Sequence, residues 1–221
     1  HFAQANWYAF GRLAWNPELT SEEIAREWLR LTFSSDAAFV DTMTDVMMRS
    51  REACVDYMMP LGLHHIFKFD HHYGPEPDGF KAEYPLEWCP VYYHRADSVG
   101  VGFDRTVATG SGATRQYREP YASQYENIKT CPEEYLLWFH HVAWNHRMKS
   151  GLTLWQELCR HYQHGVDEVD RMVMTWRRMR PYVDDRRWQE VDDRLAHQAE
   201  NAREWRDVCL GYFEGFARKN K

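Results

Sequence analysis

Between Pro60 and Gln116 the helical periodicity that runs through the rest of this chain stops. Seven of the twelve glycines and five of the nine prolines fall within 60–90 or 100–112. Gly and Pro at that density mean turns and close backbone approach, not regular structure. The stretch is also full of His, Tyr, Trp, Asp and Arg, which a plain linker does not need. Loops longer than about 12–15 residues inside a compact domain are usually functional or disordered. The aromatic rings require burial, which argues against disorder. The expectation is an ordered excursion over 60–116 that builds a site on a helical frame.

The frame reads as amphipathic helix on both sides. Helices are expected at about 3–15, 21–33, 36–59, 132–144, 153–179 and 186–217. The first carries Ala3, Trp7, Phe10, Leu13 and Ala14 near helical spacing and is ended by Asn16-Pro17. Thr20 and Glu23 form a capping-box pattern ahead of Ile24, Trp28 and Leu31. Ser34-Ser35-Asp36 caps a third helix with a Met-rich apolar side, a pattern more often core filler than groove. Thr130-Cys131-Pro132-Glu133 reads as a helix start for an apolar run through Trp144, and Thr153 as the cap of a helix that Pro181 breaks. Asp184 or Asp185 caps the last helix. Inside the loop, Val91-Tyr92-Tyr93 is the best short strand, and Leu63 to Phe67 is a second candidate. The fold class is therefore mainly α: a helical domain, residues 1–221, with one long ordered loop region carrying short β-strands.

Composition narrows the partners. A net charge of −6 gives no basic face for nucleic acid. No run of 18 apolar residues exists, so no membrane span is expected. Five scattered cysteines without a CxxC favour reduced thiols in an intracellular, cytoplasmic protein. The opening His-Phe-Ala-Gln has neither a Met start nor a signal-peptide pattern and reads as a piece of a longer polypeptide. Ten Trp and thirteen Tyr point to stacking surfaces or an extensive interface as well as core. Trp176, Trp188 and Trp205, set among charges between Thr153 and Ala217, are the expected interface aromatics.

Three His-His pairs stand out: His64-His65, His71-His72 and His140-His141. With Asp70, His94 and Asp97 they offer metal-ligand chemistry, but adjacent residues point apart and no HExxH spacing accompanies them. Their other readings are loop pins and donors to a substrate hydroxyl. Paired carboxyls facing each other are a common acid–base arrangement. Asp97 and Asp104 are the only suggestive pair in the loop, and Arg105 beside Asp104 reads equally as a turn holder. No GxSxG or phosphate loop is present. The residues alone show no autonomous catalytic centre.

The runs GLHHIF, DHHYGP, VYYHRAD, GFDRT and ATGS, in this order, resemble the C-terminal region of bacterial α-glucuronidases of glycoside hydrolase family 67. QANWYAFGRLAWNP and SEEIAREW upstream, and CPEEYLLWFHHVAWNHRMKSG and TLWQELCRHY downstream, extend the resemblance over nearly the whole chain. It implies an enzyme that removes α-1,2-linked, often 4-O-methylated, glucuronic acid from xylooligosaccharides with inversion, without a cofactor. It also implies that the catalytic carboxylates sit in a (β/α)₈ barrel upstream, preceded by an N-terminal domain. The C-terminal region would wrap the barrel, add a wall to the pocket and form a homodimer. Trp88, in LEWCPVYY, takes the place of the family's pocket-lining aromatic, with core packing as its other reading. His65 and Arg105 join it as substrate-binding candidates. The contrasting expectation is a stand-alone helical interaction or carbohydrate-binding module without catalysis.

Overall fold

The computed structural model describes residues 1–69 and 72–218. It is mainly helical: α1 Ala3–Trp15, α2 Ser21–Thr32, α3 Ala37–Met58, α4 Pro90–His94, α5 Tyr121–Glu126, α6 Leu136–Phe139, α7 Leu154–Arg178 and α8 Asp185–Ala217. The strands β1 Gly100–Val101 and β2 Val142–Ala143 pair antiparallel, Gly100 opposite Ala143 and Val101 opposite Val142. Two compact units result, one from residues 1–54 with 166–201 and one from 55–165 with 202–221. Among the described residues no helix is long and apolar enough to cross a membrane.

The long helices start where polar side chains satisfy their first free N–H groups. Thr20 Oγ1 accepts from the Glu23 N–H at 3.2 Å, and Glu23 returns a carboxylate to the Thr20 N–H at 2.9 Å. Asp36 accepts from Ala38 and Phe39, and Asp184 from Arg187. Ahead of α7, Thr153 accepts from the Gln156 N–H at 3.3 Å while the Gln156 amide oxygen accepts from the Thr153 N–H at 2.9 Å. A Thr153→Ala variant should lose about 1 kcal/mol of unfolding free energy in urea. An unchanged denaturation midpoint would show that the box contributes nothing.

In the first unit the core joins Trp28, Leu29, Phe39, Val40, Met43, Met172, Trp176 and Val191. Trp176 Nε1 donates to the Trp188 carbonyl at 3.0 Å, and Trp188 Nε1 returns a longer bond to the Trp176 carbonyl at 3.4 Å. Trp176 is fully buried and Trp188 half-buried. In the second unit Trp205 is buried as well. The expected interface aromatics of α7 and α8 are therefore core residues: the neighbouring charges point outward while the indoles face in. In α2 the reverse holds for Leu31, which is exposed.

Three expected elements differ. Val91-Tyr92-Tyr93 is not a strand but the middle of α4, because Pro90 opens a helical turn at its first position and His94 is drawn into the core. The expected helix over 132–144 is limited to a 3₁₀ turn, Glu133–Tyr135, and the short α6, after which the chain extends into β2. Thr130 caps no helix; its hydroxyl donates to the Gln124 and Asn127 carbonyls. The cause lies forty residues upstream. A Cβ on Gly100 would stand 2.1 Å from the Val142 carbonyl oxygen, and one on Gly102, at φ +107°, 2.1 Å from that of His140. Glycine at both places lets the loop backbone lie directly on 140–142, which then pairs as a strand. Of the Leu63–Phe67 candidate, only Phe67 forms a bridge, to Pro75.

Candidate functional site

The loop lays out two aromatic constellations in the second unit. Trp88 ends a single 3₁₀ turn, Leu86–Trp88, set between Pro85 and Pro90. Buried Cys89 fixes the turn's C-terminal side, so the indole is held outward and is 57% exposed. Beside it stands Tyr84, with ring centroids 5.9 Å apart, and Tyr84 stacks on Phe69 at 5.7 Å and 19°. The Lys81 ammonium lies 4.7 Å from the Phe69 ring centroid and 5.5 Å from that of Tyr84. The result is an accessible aromatic strip with a cation next to it. Tyr84 and Phe69 were not singled out from sequence. The four-residue step from Phe80 to Tyr84 to Trp88 is the signal that could have found Tyr84.

His65 and Arg105 belong to the other constellation. His65 adopts a left-handed backbone, φ 59°, and its ring stacks on Tyr93 at 4.3 Å and packs on Phe67 at 4.6 Å. Burial, then the neighbouring His64 and His72, push its pKa down, so it stands neutral at pH 7. His64 lies edge-on to Trp138 at 5.3 Å. Arg105 is buried, its guanidinium 3.7 Å from the Trp138 ring centroid and 4.1 Å from that of Phe103, and it donates to the Trp138 carbonyl. Burial pulls its pKa down to about 10, which leaves it a cation at physiological pH. Arg95 lies over the same Phe103 ring, at 3.6 Å from its centroid. Arg105 is thus a pillar between aromatic rings, and His64 is the residue standing between it and His65.

The remaining polar loop residues staple backbone. His94 is buried; its Nε2–H donates to the Pro77 carbonyl at 2.7 Å and its Nδ1 accepts from the Ala96 N–H at 3.0 Å. His140 donates to the Tyr125 carbonyl and His141 to that of Gly102. Asp97 accepts from the Val99 and Gly100 N–H groups, and Asp104 from the Thr106 N–H and the Thr106 and Thr109 hydroxyls. Burial alone would raise both carboxyls, but these donors outweigh it and hold them below the ordinary range. Neither carries a proton at neutral pH, so neither is a general acid. Among the described residues no group of three His, Cys, Asp or Glu side chains is placed to hold a metal ion. Asp70 and His71, read above as possible ligands or loop pins, lie outside the described residues. What these groups do here is pin the loop backbone around the aromatic rings.

Residues 1–221 match the family model described as the C-terminus of glycosyl hydrolase family 67. This chain belongs to that family. It is 38% identical over 218 residues to the probable alpha-glucuronidase A of Aspergillus fumigatus, covering 98% of this chain and 25% of that protein. The alpha-glucuronidase A of Aspergillus tubingensis is 36% identical over 214 residues, and that of Emericella nidulans 37% over 214, each covering 96% of this chain and 25% of the relative. The chain thus spans about a quarter of the length of these relatives. They are fungal, so the match fixes the family and not a bacterial branch of it. The matched segment includes the whole loop that carries the motifs GLHHIF to ATGS.

Proposed function

We propose that this chain is the C-terminal wall of an α-glucuronidase that hydrolyses α-1,2-linked (4-O-methyl)glucuronic acid from xylooligosaccharides with inversion. The acid and base belong to a (β/α)₈ barrel in the rest of the polypeptide, around which this region wraps. The observation that carries the reading is Trp88. Its indole is offered outward on a strip with Tyr84, while most of the chain's tryptophans are spent on packing. Pyranose rings present apolar C–H faces that stack on such a surface. His65, stacked on Tyr93, and Arg105, held against Trp138, are the further substrate-binding residues of this reading.

The 221-residue chain alone should release no glucuronic acid from aldouronic acids, because its loop carboxylates staple backbone. Turnover by the pure chain that disappears on changing Asp97 or Asp104 would place the active site here instead. The same reading includes a homodimer in the cytoplasm. With Trp176 and Trp205 inside the core, its contact falls to other residues of this region. Sedimentation of the whole enzyme as a monomer at micromolar concentration would remove the dimer from the reading.

A further inference from the structure

α1 carries an apolar side that none of the described residues covers. Its face toward the first unit is slight: Ala5 is its one buried residue, with Phe2 and Tyr8 partly buried on the core nearby. Arg12, the only charged residue between Ala3 and Trp15, turns to Glu27 of α2 and bonds it at 2.9 Å. Away from these, Ala3, Trp7, Phe10 and Ala14 recur at steps of four, three and four, which places them on one stripe. Trp7 is 80% and Phe10 70% exposed, and Trp15 at the helix end is 86% exposed. No charged residue lies on that stripe. An uncharged aromatic stripe of this kind matches permanent interfaces, which resemble a domain core cut in half.

We infer that this stripe of α1 is the docking surface for the preceding, catalytic part of the same polypeptide, so that α1 packs on that part as one of its own helices. The inference rests on the α-glucuronidase reading and adds to it the surface through which the wall is attached. Three quarters of the length of the family relatives lies outside the matched segment, and the matched segment is the family's C-terminus. α1 is the first helix of that segment, and consecutive elements are usually neighbours in space. Ala3 and Ala14 flank the aromatic knobs Trp7 and Phe10 and allow a helix or sheet of the partner to approach closely at either end of the stripe. The chemistry required of the partner is an apolar surface without charge, since any charge buried against Trp7 and Phe10 would have no counter-ion on α1.

Hydroxyl-radical footprinting of the whole polypeptide that carries this chain tests the assignment without a variant. Trp176 and Trp205 serve as buried standards and free N-acetyltryptophanamide as the open one. The expected result is loss of oxidation at Trp7, Phe10 and Trp15 down to the rate of the buried standards, unchanged on dilution. Oxidation of Trp7 and Phe10 near the open rate overturns the inference. So does protection that vanishes on dilution, which would give the stripe to a second copy of the chain. Assaying the same preparation for glucuronic acid release separates the two readings. Protection without turnover keeps the docking surface and sinks the activity; turnover without protection does the reverse.

Discussion

Acidifying the protein from neutral pH to about pH 4 is expected to remove about 3 kcal/mol of folding stability through His94 alone. The ring is buried against Tyr212 and Phe213, each with a centroid 5.4 Å away, and no carboxylate bonds to either nitrogen. Burial pulls its pKa from 6.5 down to about 4, and the bond to the Pro77 carbonyl offsets only part of this. The folded protein therefore keeps His94 neutral where the unfolded chain already binds a proton. The unfolded state holds more protons between about pH 4 and 6.5, so stability rises with pH across that window. The contribution is fully present above the unfolded value and is lost as pH falls toward the folded one. His64, His65 and His140 are depressed in the same direction by burial and add to the same window. Asp56, Asp97 and Asp104 do not. Their carboxyls are held low, so what they contribute persists until pH falls below the ordinary carboxylate range. Urea unfolding at a series of pH values, with an NMR titration of the His94 ring, measures both sides of the linkage. A His94→Gln variant should be less stable at neutral pH and show a shallower slope. An imidazole that titrates near 6.5 in the folded protein would falsify the account.

Much of the frame was legible because its signals are local. Thr20 with Glu23, Asp36, Thr153 and Asp184 each mark a helix start within the reach of one turn, and the long helices begin and end within a residue or two of where those signals put them. The loop was legible as an excursion, from its Gly and Pro, but not in its internal form. Val91-Tyr92-Tyr93 has strand propensity, yet Pro90 and the burial of His94 decide for a helical turn; β-propensity is mostly a statement about surroundings. The apolar run after Pro132 looked like a buried helix because periodicity cannot separate a short buried helix from a buried strand. Gly100 and Gly102 made that choice from a distance, by letting backbone lie on backbone. Trp176 and Trp205 misled for another reason: Trp is a good residue for an interface and for a core, and composition does not say which. At the candidate site, the sequence singled out Trp88 within an aromatic-rich loop, but the backbone bonds that occupy Asp97 and Asp104 come from the folded loop. The Arg105 pillar could not be read from sequence, because Phe103 of the loop and Trp138 of α6, far apart in sequence, come together around it.

Replacing Trp88 by alanine in the whole enzyme should lower kcat/KM by about ten- to a hundredfold while leaving the fold intact. The indole already has more than half of its surface in solvent, so its truncation removes little core packing. A buried Trp such as Trp176 would cost roughly 3–5 kcal/mol of stability on the same change. What Trp88→Ala removes is the end of the aromatic strip, and with it the face on which a sugar ring would seat. Covering an aromatic face of that size contributes on the order of 1–3 kcal/mol, which converts to the stated loss. Part of the loss should fall on kcat, because a ring that no longer rests on the wall is poorly aligned with a distant acid. Tyr84 and Phe69 remain stacked behind the gap, so the strip itself should not collapse. Melting temperature and kinetics read on one preparation separate the alternatives. A large fall in melting temperature with near-normal kinetics of the folded fraction would make Trp88 a packing residue. A well-folded variant with wild-type kcat/KM would remove it from the site. Only intact stability together with the loss in kcat/KM fits an indole that serves the substrate.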